Sequence, residues 1–385
     1  MFLESTFGSP RRILARHRAK TIGACLLVIG LTSGCATDTS TNSQADWPTM
    51  SPSELESDLP VGAEIVNPKS VVDANPATPS TAQQPWPTIR PDNRTADQRI
   101  PKIRKRGRLI VGVGQYLNRL GFRDPLSGEL SGFEVDLARE IARDIFGDPK
   151  KVEFRYVENR RREAALRNGD VDMVIRTWTV RRDRQYQTEF SLPYLAITPQ
   201  LLVMRGSEIT GFQDLSNSTV CATRDSAPAQ SITQYHIGSL MLTRTWTDCL
   251  MAMQRSQVDA IFSDDAILSG LQAQDPHTEL VGGSGELSYY AVGMTTPTKN
   301  NEAEGLVMQV NDTIRRIRSD GTWNRLYNEW MQEYLGAPEN LPAEYRTDAE
   351  QAEIDKERKE YAKTQHLTSA AKRAGEVPRE AFDDR

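Results

Sequence analysis

From Arg160 to Tyr194 the chain reads RRREAALRNGDVDMVIRTWTVRRDRQYQTEFSLPY. Glu163–Arg167 reads as a helix ended by Asn168-Gly169, and Val171–Ile175 as a short buried strand. The strand runs into Arg176-Thr177-Trp178-Thr179, Arg184 begins the next turns, and Phe190-Ser191-Leu192-Pro193-Tyr194 follows. A threonine hydroxyl at a strand's end and an arginine a turn or more later can clamp a carboxylate. The guanidinium is a planar fork that meets both oxygens at once. Arg181, Arg182 and Arg184 also lie together, so the same residues equally describe a solvated arginine cluster. Residue chemistry alone leaves both readings open.

Working outward, Leu109–Val113 is a β-branched run that reads as a buried strand. Ser131-Gly132-Phe133-Glu134-Val135-Asp136 opens a helix whose Leu137, Ala138, Ile141, Ala142 and Ile145 share one face, and Gly147 stops it. Val152–Val157 is a second strand of this half. Strand–helix–strand alternation predicts parallel α/β layers. The pattern repeats downstream: strands at Thr219–Ala222, Leu240–Trp246 and Val258–Phe262, helices at Ser226–Tyr235 and Asp248–Arg255. Asp312–Arg318 and Thr322–Tyr334 read as closing helices, the latter with Trp323, Leu326, Tyr327 and Trp330 on one face. Two such units predict two lobes with a ligand cleft beyond the carboxyl ends of the strands.

Composition narrows the class. Of 385 residues, 38% are hydrophobic and 26% charged, enough for a packed core but not along the whole chain. Ala36 to about Gln98 is Ser, Thr, Pro, Asp and Asn without periodicity, which predicts a flexible tether. Asp348–Lys363 is rich in Glu, Lys, Arg and Ala and reads as an exposed helix or disorder. The net charge is −5, and residues 1–34 carry +4 of their own, leaving −9 for the rest. That balance excludes a nucleic-acid surface.

The first 34 residues read as an export signal: a basic leader ending at Lys20, then the short apolar run Thr21–Gly30. Leu31-Thr32-Ser33-Gly34-Cys35 resembles a bacterial lipobox, with Thr32 where leucine is usual, and implies a lipid on Cys35. Cys25 then leaves with the signal. Cys221 and Cys249 remain in an oxidising compartment, where they form either a disulfide or two buried thiols. A disulfide there closes a loop of 28 residues, worth about 3–4 kcal/mol in the chain-entropy picture. The four histidines show no ligand spacing with these cysteines, so no metal site or cofactor is expected. Signatures of hydrolases, metalloproteases and P-loop enzymes are absent, and no catalytic residues are predicted.

Taken together, Gly169, Asp172, Thr177, Thr179, Arg184 and the Phe190–Tyr194 run resemble the bacterial extracellular solute-binding proteins of family 3, the polar amino-acid binders. Val111-Gly112-Val113 with Gly132–Leu137, the Val258–Asp265 segment, and Ser319–Trp323 with Trp330 agree with that family in the same order. The resemblance spans roughly Ile100–Gly336, and the chain looks most like glutamine/glutamate-binding lipoproteins of the actinobacterial kind. It implies a periplasmic-binding-protein type II fold: α/β, two lobes, each a mainly parallel sheet flanked by helices, joined by a double-crossover hinge. The expected divisions are a signal at 1–34, a lipidated linker at 35–98, lobe 1 at 99–203 and 292–336, lobe 2 at 204–291, and a charged tail at 337–385.

The resemblance also implies a site. Arg184 with Thr179 would hold a ligand's α-carboxylate, while the Thr177 carbonyl and Asp264 would receive its α-ammonium. Asp264 can instead be a helix N-cap, since Asp265 and Ala266 follow it. The Arg224–Ala227 loop opens a lobe-2 helix, with Ser226 a ligand contact and Asp225 where the family often has glycine. Arg181 stands where many members have threonine. Arg162 lies where acidic-amino-acid binders carry the arginine for a distal carboxylate, with Arg176 and Gln115 as helpers.

The expected partners are a free α-amino acid, foremost glutamate, aspartate or their amides, and a separate transmembrane protein. That protein would be an ABC permease or a signalling protein, the chain itself being a monomer. Competing readings are an enzyme on the same fold, such as a cyclohexadienyl dehydratase, the binding part of a lytic transglycosylase, or an adhesion lipoprotein. The paired carboxylate and ammonium contacts favour an intact amino acid over the dehydratase and adhesion readings, and the charged tail after Gly336 is too short and apolar-poor for the lysozyme-like domain that a transglycosylase needs.

Overall fold

Leu109–Val113 is buried at all five positions, as a β-branched run between two layers must be. It pairs in parallel with Val152–Tyr156 on one side and Met173–Val174 on the other. The computed structural model describes residues 59–74, 84–283, 287–298 and 301–375. The Phe133–Phe146 helix covers the sheet with the predicted apolar face and ends at Gly147, whose φ of 76° suits a residue without Cβ. Gly132, just before it, has φ 126°, and a Cβ there would lie 2.3 Å from the Leu120 carbonyl oxygen. Only glycine fits that helix entrance.

The main sheet of lobe 1 has five strands in the order Val152–Tyr156, Leu109–Val113, Met173–Val174, Ser288–Thr295, Thr188–Ile197, beside a small sheet of Tyr116–Leu117, Gly121–Arg123 and Leu130–Ser131. Lobe 2 has six, in the order Glu64–Val66, Ser239–Thr243, Thr219–Thr223, Ala260–Asp264, Pro199–Met204, Thr278–Val281. In lobe 1 the three strands from the Val152–Tyr156 edge inward are parallel, in lobe 2 the Ser239–Thr243, Thr219–Thr223 and Ala260–Asp264 strands are, and the strands that change lobes join antiparallel. The chain passes from lobe 1 to lobe 2 at Thr198 and returns between Val281 and Ser288. The expected crossings at 203/204 and 291/292 therefore fall several residues late. The turn at Gly206, φ 81°, lies inside lobe 2, whereas the true crossing uses a single residue between two apolar strands.

Two further expectations are corrected. The segment before residue 99 is not all tether. Asn67 caps the Pro68–Ala74 helix by accepting from Lys69 and Ser70, with Pro68 at its first position. Glu64–Val66 adds an edge strand to lobe 2. Trp86 and Ile89 are buried on lobe 1, and Asn311 Nδ2 donates to the Ile89 carbonyl at 2.8 Å. A few apolar side chains suffice because the backbone bonds go to elements already in place. The C-terminal stretch is likewise not simply solvated. Its Asp348–Gly375 helix buries Ile354, and Arg346 meets Glu189 of lobe 1 through two bonds of 2.8 and 3.0 Å.

Among smaller shifts, Trp246 opens the Trp246–Gln254 helix through the Thr245 cap and does not end a strand. Cys221 and Cys249 are joined as a disulfide with Cα atoms 5.7 Å apart, in the lobe-2 core. Cys35 and the signal segment lie outside the described residues.

Candidate functional site

The Met173–Val174 strand delivers Arg176–Thr179 to the boundary between lobes. Thr177 adopts φ 39°, a left-handed conformation costly for a β-branched residue. Two flanking contacts hold it. Glu134 Oε1 accepts from the Thr177 N–H at 2.6 Å and from the Tyr194 hydroxyl at 2.5 Å. Thr179 bridges to Tyr290 on the returning crossover strand. Burial raises the Glu134 carboxyl above its ordinary range, against the pull of Tyr194, Thr177 and two arginines.

This turn positions three guanidiniums. Arg184 donates from Nη1 to the Thr179 carbonyl at 2.7 Å. Arg162, buried, donates from Nε to the Asn159 carbonyl at 3.0 Å and from Nη1 to the Arg176 carbonyl at 3.2 Å. Its Cζ lies 4.8 Å from the Trp178 ring centre, a cation–π stack. Arg176 is held by Asn159 Oδ1 and the Tyr116 hydroxyl. Desolvation first, then the charges of Arg184 and Arg176, push Arg162 well below the usual arginine range. Desolvation and Arg181 bring Arg184 down to about 10. Among the described residues none of the three forms an ion pair with a carboxylate. Arg162 Nη2 and Arg184 Nε and Nη2 have no protein acceptor there either. Asp183, Glu163 and Asp264 oppose the shift of Arg184, and Glu163 that of Arg162, only at longer range. Desolvated like charges with no carboxylate in direct contact favour an anion brought by a ligand.

A cavity of about 530 Å³ lies in front of them. Lobe 1 contributes Arg162, Trp178 and Arg184, and lobe 2 contributes Ser226 and Gln230. Asp225 in the facing turn has φ 57°, the conformation for which glycine is favoured and which Asp tolerates. The Ser226 hydroxyl accepts from Ala229 N at 3.1 Å and donates to the Thr223 carbonyl at 2.7 Å, so it serves as a helix cap.

Asp264 stands at the N-cap position of the Asp265–Gln274 helix but makes no side-chain cap bond and is not among the cavity-lining residues: its carboxylate accepts from the Tyr290 hydroxyl, at the hinge, where Asp265 bonds Thr198. Burial pushes the Asp264 carboxyl up to about 7; Tyr290 and Arg184 oppose the rise and Asp265 adds to it. The Thr177 and Thr179 carbonyls hold Arg162 and Arg184, so these threonines build the site from behind. Arg176 supports Asn159, which lines the cavity, and does not line it itself. Gln115 lies away from the cavity and accepts from Arg123 Nε at 3.0 Å. Its position after a strand resembled a site position, but the following hairpin takes its amide.

Sequence reasoning missed Tyr290, Trp178, Asn159 and Gln230. Trp178, inside the quoted motif, carried a readable signal as an aromatic between two threonines. Asn159 sits one residue before that stretch, while Tyr290 and Gln230 come from segments that only the topology brings near. Among the described residues no cluster of His, Cys, Asp or Glu suits a metal ion, and no helix is long and apolar enough to cross a membrane.

Two lobes joined by two crossovers, with open guanidiniums on one wall of a cleft and a helix-capping turn on the other, define a cleft-type solute-binding protein. Residues 109–333 match the model of the bacterial extracellular solute-binding proteins, family 3, and the chain belongs to that family. It is 30% identical over 236 residues to the ABC transporter glutamine-binding protein GlnH of Bacillus subtilis, covering 61% of this chain and 85% of that one. It is 31% identical over 240 residues to the glutamate-binding protein GluB of Corynebacterium glutamicum, covering 59% and 79%. A cysteine-binding protein from Campylobacter jejuni superposes with a TM-score of 0.56 at 23% identity, covering 62% of this chain and 95% of that one, which speaks for the fold alone.

Proposed function

We propose that this protein binds a free acidic amino acid or its amide, glutamate and aspartate first, and presents it to a separate membrane partner for uptake or sensing. The observation that carries the reading is the pair of desolvated guanidiniums, Arg162 and Arg184, open to the cavity and without a carboxylate partner among the described residues. In this reading Arg184 takes the α-carboxylate, supported by Thr179, and Arg162 takes the distal carboxylate or amide oxygen. The ammonium goes to Asp264, because a buried cation needs a carboxylate. The likeness to glutamine- and glutamate-binding relatives supports the same ligand class.

Export and lipidation at Cys35 complete the proposal, leaving the binding body on the outer face of the membrane as a monomer that needs a transmembrane partner. A thermal-shift screen of the purified protein against the twenty amino acids tests the ligand. A ligand bound only by the folded form raises stability by RT ln(1 + [L]/Kd). Glutamate, aspartate and their amides should give the largest shifts, and shifts confined to neutral aliphatic or basic amino acids would overturn the assignment.

A further inference from the structure

The family match begins at residue 109, yet Glu64, Val66, Ser70 and Val71 line the cavity. They arrive there by ordinary means. Glu64–Val66 pairs antiparallel with Ser239–Thr243, placing Glu64 opposite Leu242, itself a lining residue. Asn67 and Pro68 then turn the chain into the Pro68–Ala74 helix, which carries Ser70 and Val71 to the cavity.

The same segment fixes a charge of the opposite wall. Glu64 Oε1 accepts from Arg224 Nε at 3.1 Å and Nη2 at 2.9 Å, and the Gly62 carbonyl accepts from Nη1. Arg224 thus reaches the cavity already neutralised, whereas Arg162 and Arg184 across from it are not.

We propose that the Glu64–Val71 segment is a specificity wall of the amino-acid cleft. Val66 and Val71 bound the room left for the ligand's side chain, and Glu64 keeps Arg224 from offering a competing place for a carboxylate. A pocket discriminates by what it leaves no room for as well as by what it contacts. The inference rests on the cleft being an amino-acid site.

The test uses the full chain and calorimetry with glutamate, aspartate and 2-aminoadipate, the homologue one methylene longer than glutamate. Val71→Trp and Ser70→Trp should each weaken glutamate by about tenfold or more, and the shorter aspartate less. Val71→Ala should shift preference toward 2-aminoadipate by several-fold. Val61→Trp, on the exposed outside of the segment, is the control and should bind as the wild type does. Ser70 is exposed, so its variant stays folded even if a tryptophan at 71 does not. A wild type that binds the acidic ligands while the Ser70 and Val71 variants keep its affinities and preferences would overturn the wall alone. A wild type that binds no amino acid would overturn the wall together with the reading beneath it.

Discussion

Arg181 on lobe 1 donates from Nη1 to Oε1 of Gln230 on lobe 2 at 2.7 Å, and both side chains line the cavity. Asp183 holds the guanidinium in place, with Nε–Oδ1 at 2.9 Å. The bond therefore ties the two walls of the cleft together from a prepositioned donor. It is solvent-exposed, so its net worth sits near the ordinary value for a hydrogen bond, about 0.5–1.5 kcal/mol. Gln230→Ala should speed ligand dissociation by roughly two- to tenfold and leave association nearly unchanged. Stopped-flow kinetics reads both rates, and an unchanged dissociation rate would show that the bond does not hold the lobes.

Asp264 gives the site a pH dependence whose sign is fixed. Its carboxyl stands at about 7 in the folded protein against an ordinary 3.8. The folded state thus holds this proton more tightly than the unfolded chain does. The stabilising effect is full below the unfolded value and is lost as pH rises through the folded one. Asp264→Asn stays neutral, so it should raise the melting temperature of the ligand-free protein at about pH 8, with a gain that vanishes toward about pH 4. In the proposed site ligand binding runs the other way, because an α-ammonium placed there would need the ionised carboxylate. Wild-type affinity for glutamate should fall by up to about tenfold per pH unit below 7, with proton release on binding. Affinity that is flat with pH, with no proton released, would remove Asp264 from the ammonium site.

Glu189 fastens the C-terminal segment to lobe 1. Its carboxylate, 1% exposed, faces Arg346 at 2.8 and 3.0 Å and Arg358 at 3.0 Å. Glu189→Ala strands two guanidiniums, one of them deeply buried, and should cost about 3–5 kcal/mol in urea unfolding. A loss below about 1 kcal/mol would mean that water reaches the pair in solution.

How much of this was legible depended on where each signal resides. The Leu109–Val113 strand and the Phe133–Phe146 helix were readable because periodicity and a glycine stop are local properties. The lobe crossing at Thr198 was not: Thr188–Ile197 and Pro199–Met204 form one nearly continuous β-prone run, and only the pairing partners reveal that the sheet changes. Val66, Trp86 and Ile89 were averaged away by polar neighbours, although each packs on a finished surface. At the site, Arg162 and Arg184 stood out through their motif. Tyr290 and Gln230 did not, because their proximity is set by the second crossover and by lobe apposition. Gln115 misled because a residue just after a strand is equally placed to serve a neighbouring hairpin.

In the proposed site Arg162 reads the distal end of the ligand's side chain. The segment after residue 34 is net negative, so long-range steering does not favour an acidic ligand and selectivity must arise inside the cleft. A charge-assisted bond there is worth about 1.5–3 kcal/mol. Calorimetry of wild type and Arg162→Ala with glutamate and glutamine tests this directly. Glutamate should weaken by roughly ten- to a hundredfold and glutamine clearly less; equal losses for both would show that Arg162 only supports the Thr177 turn.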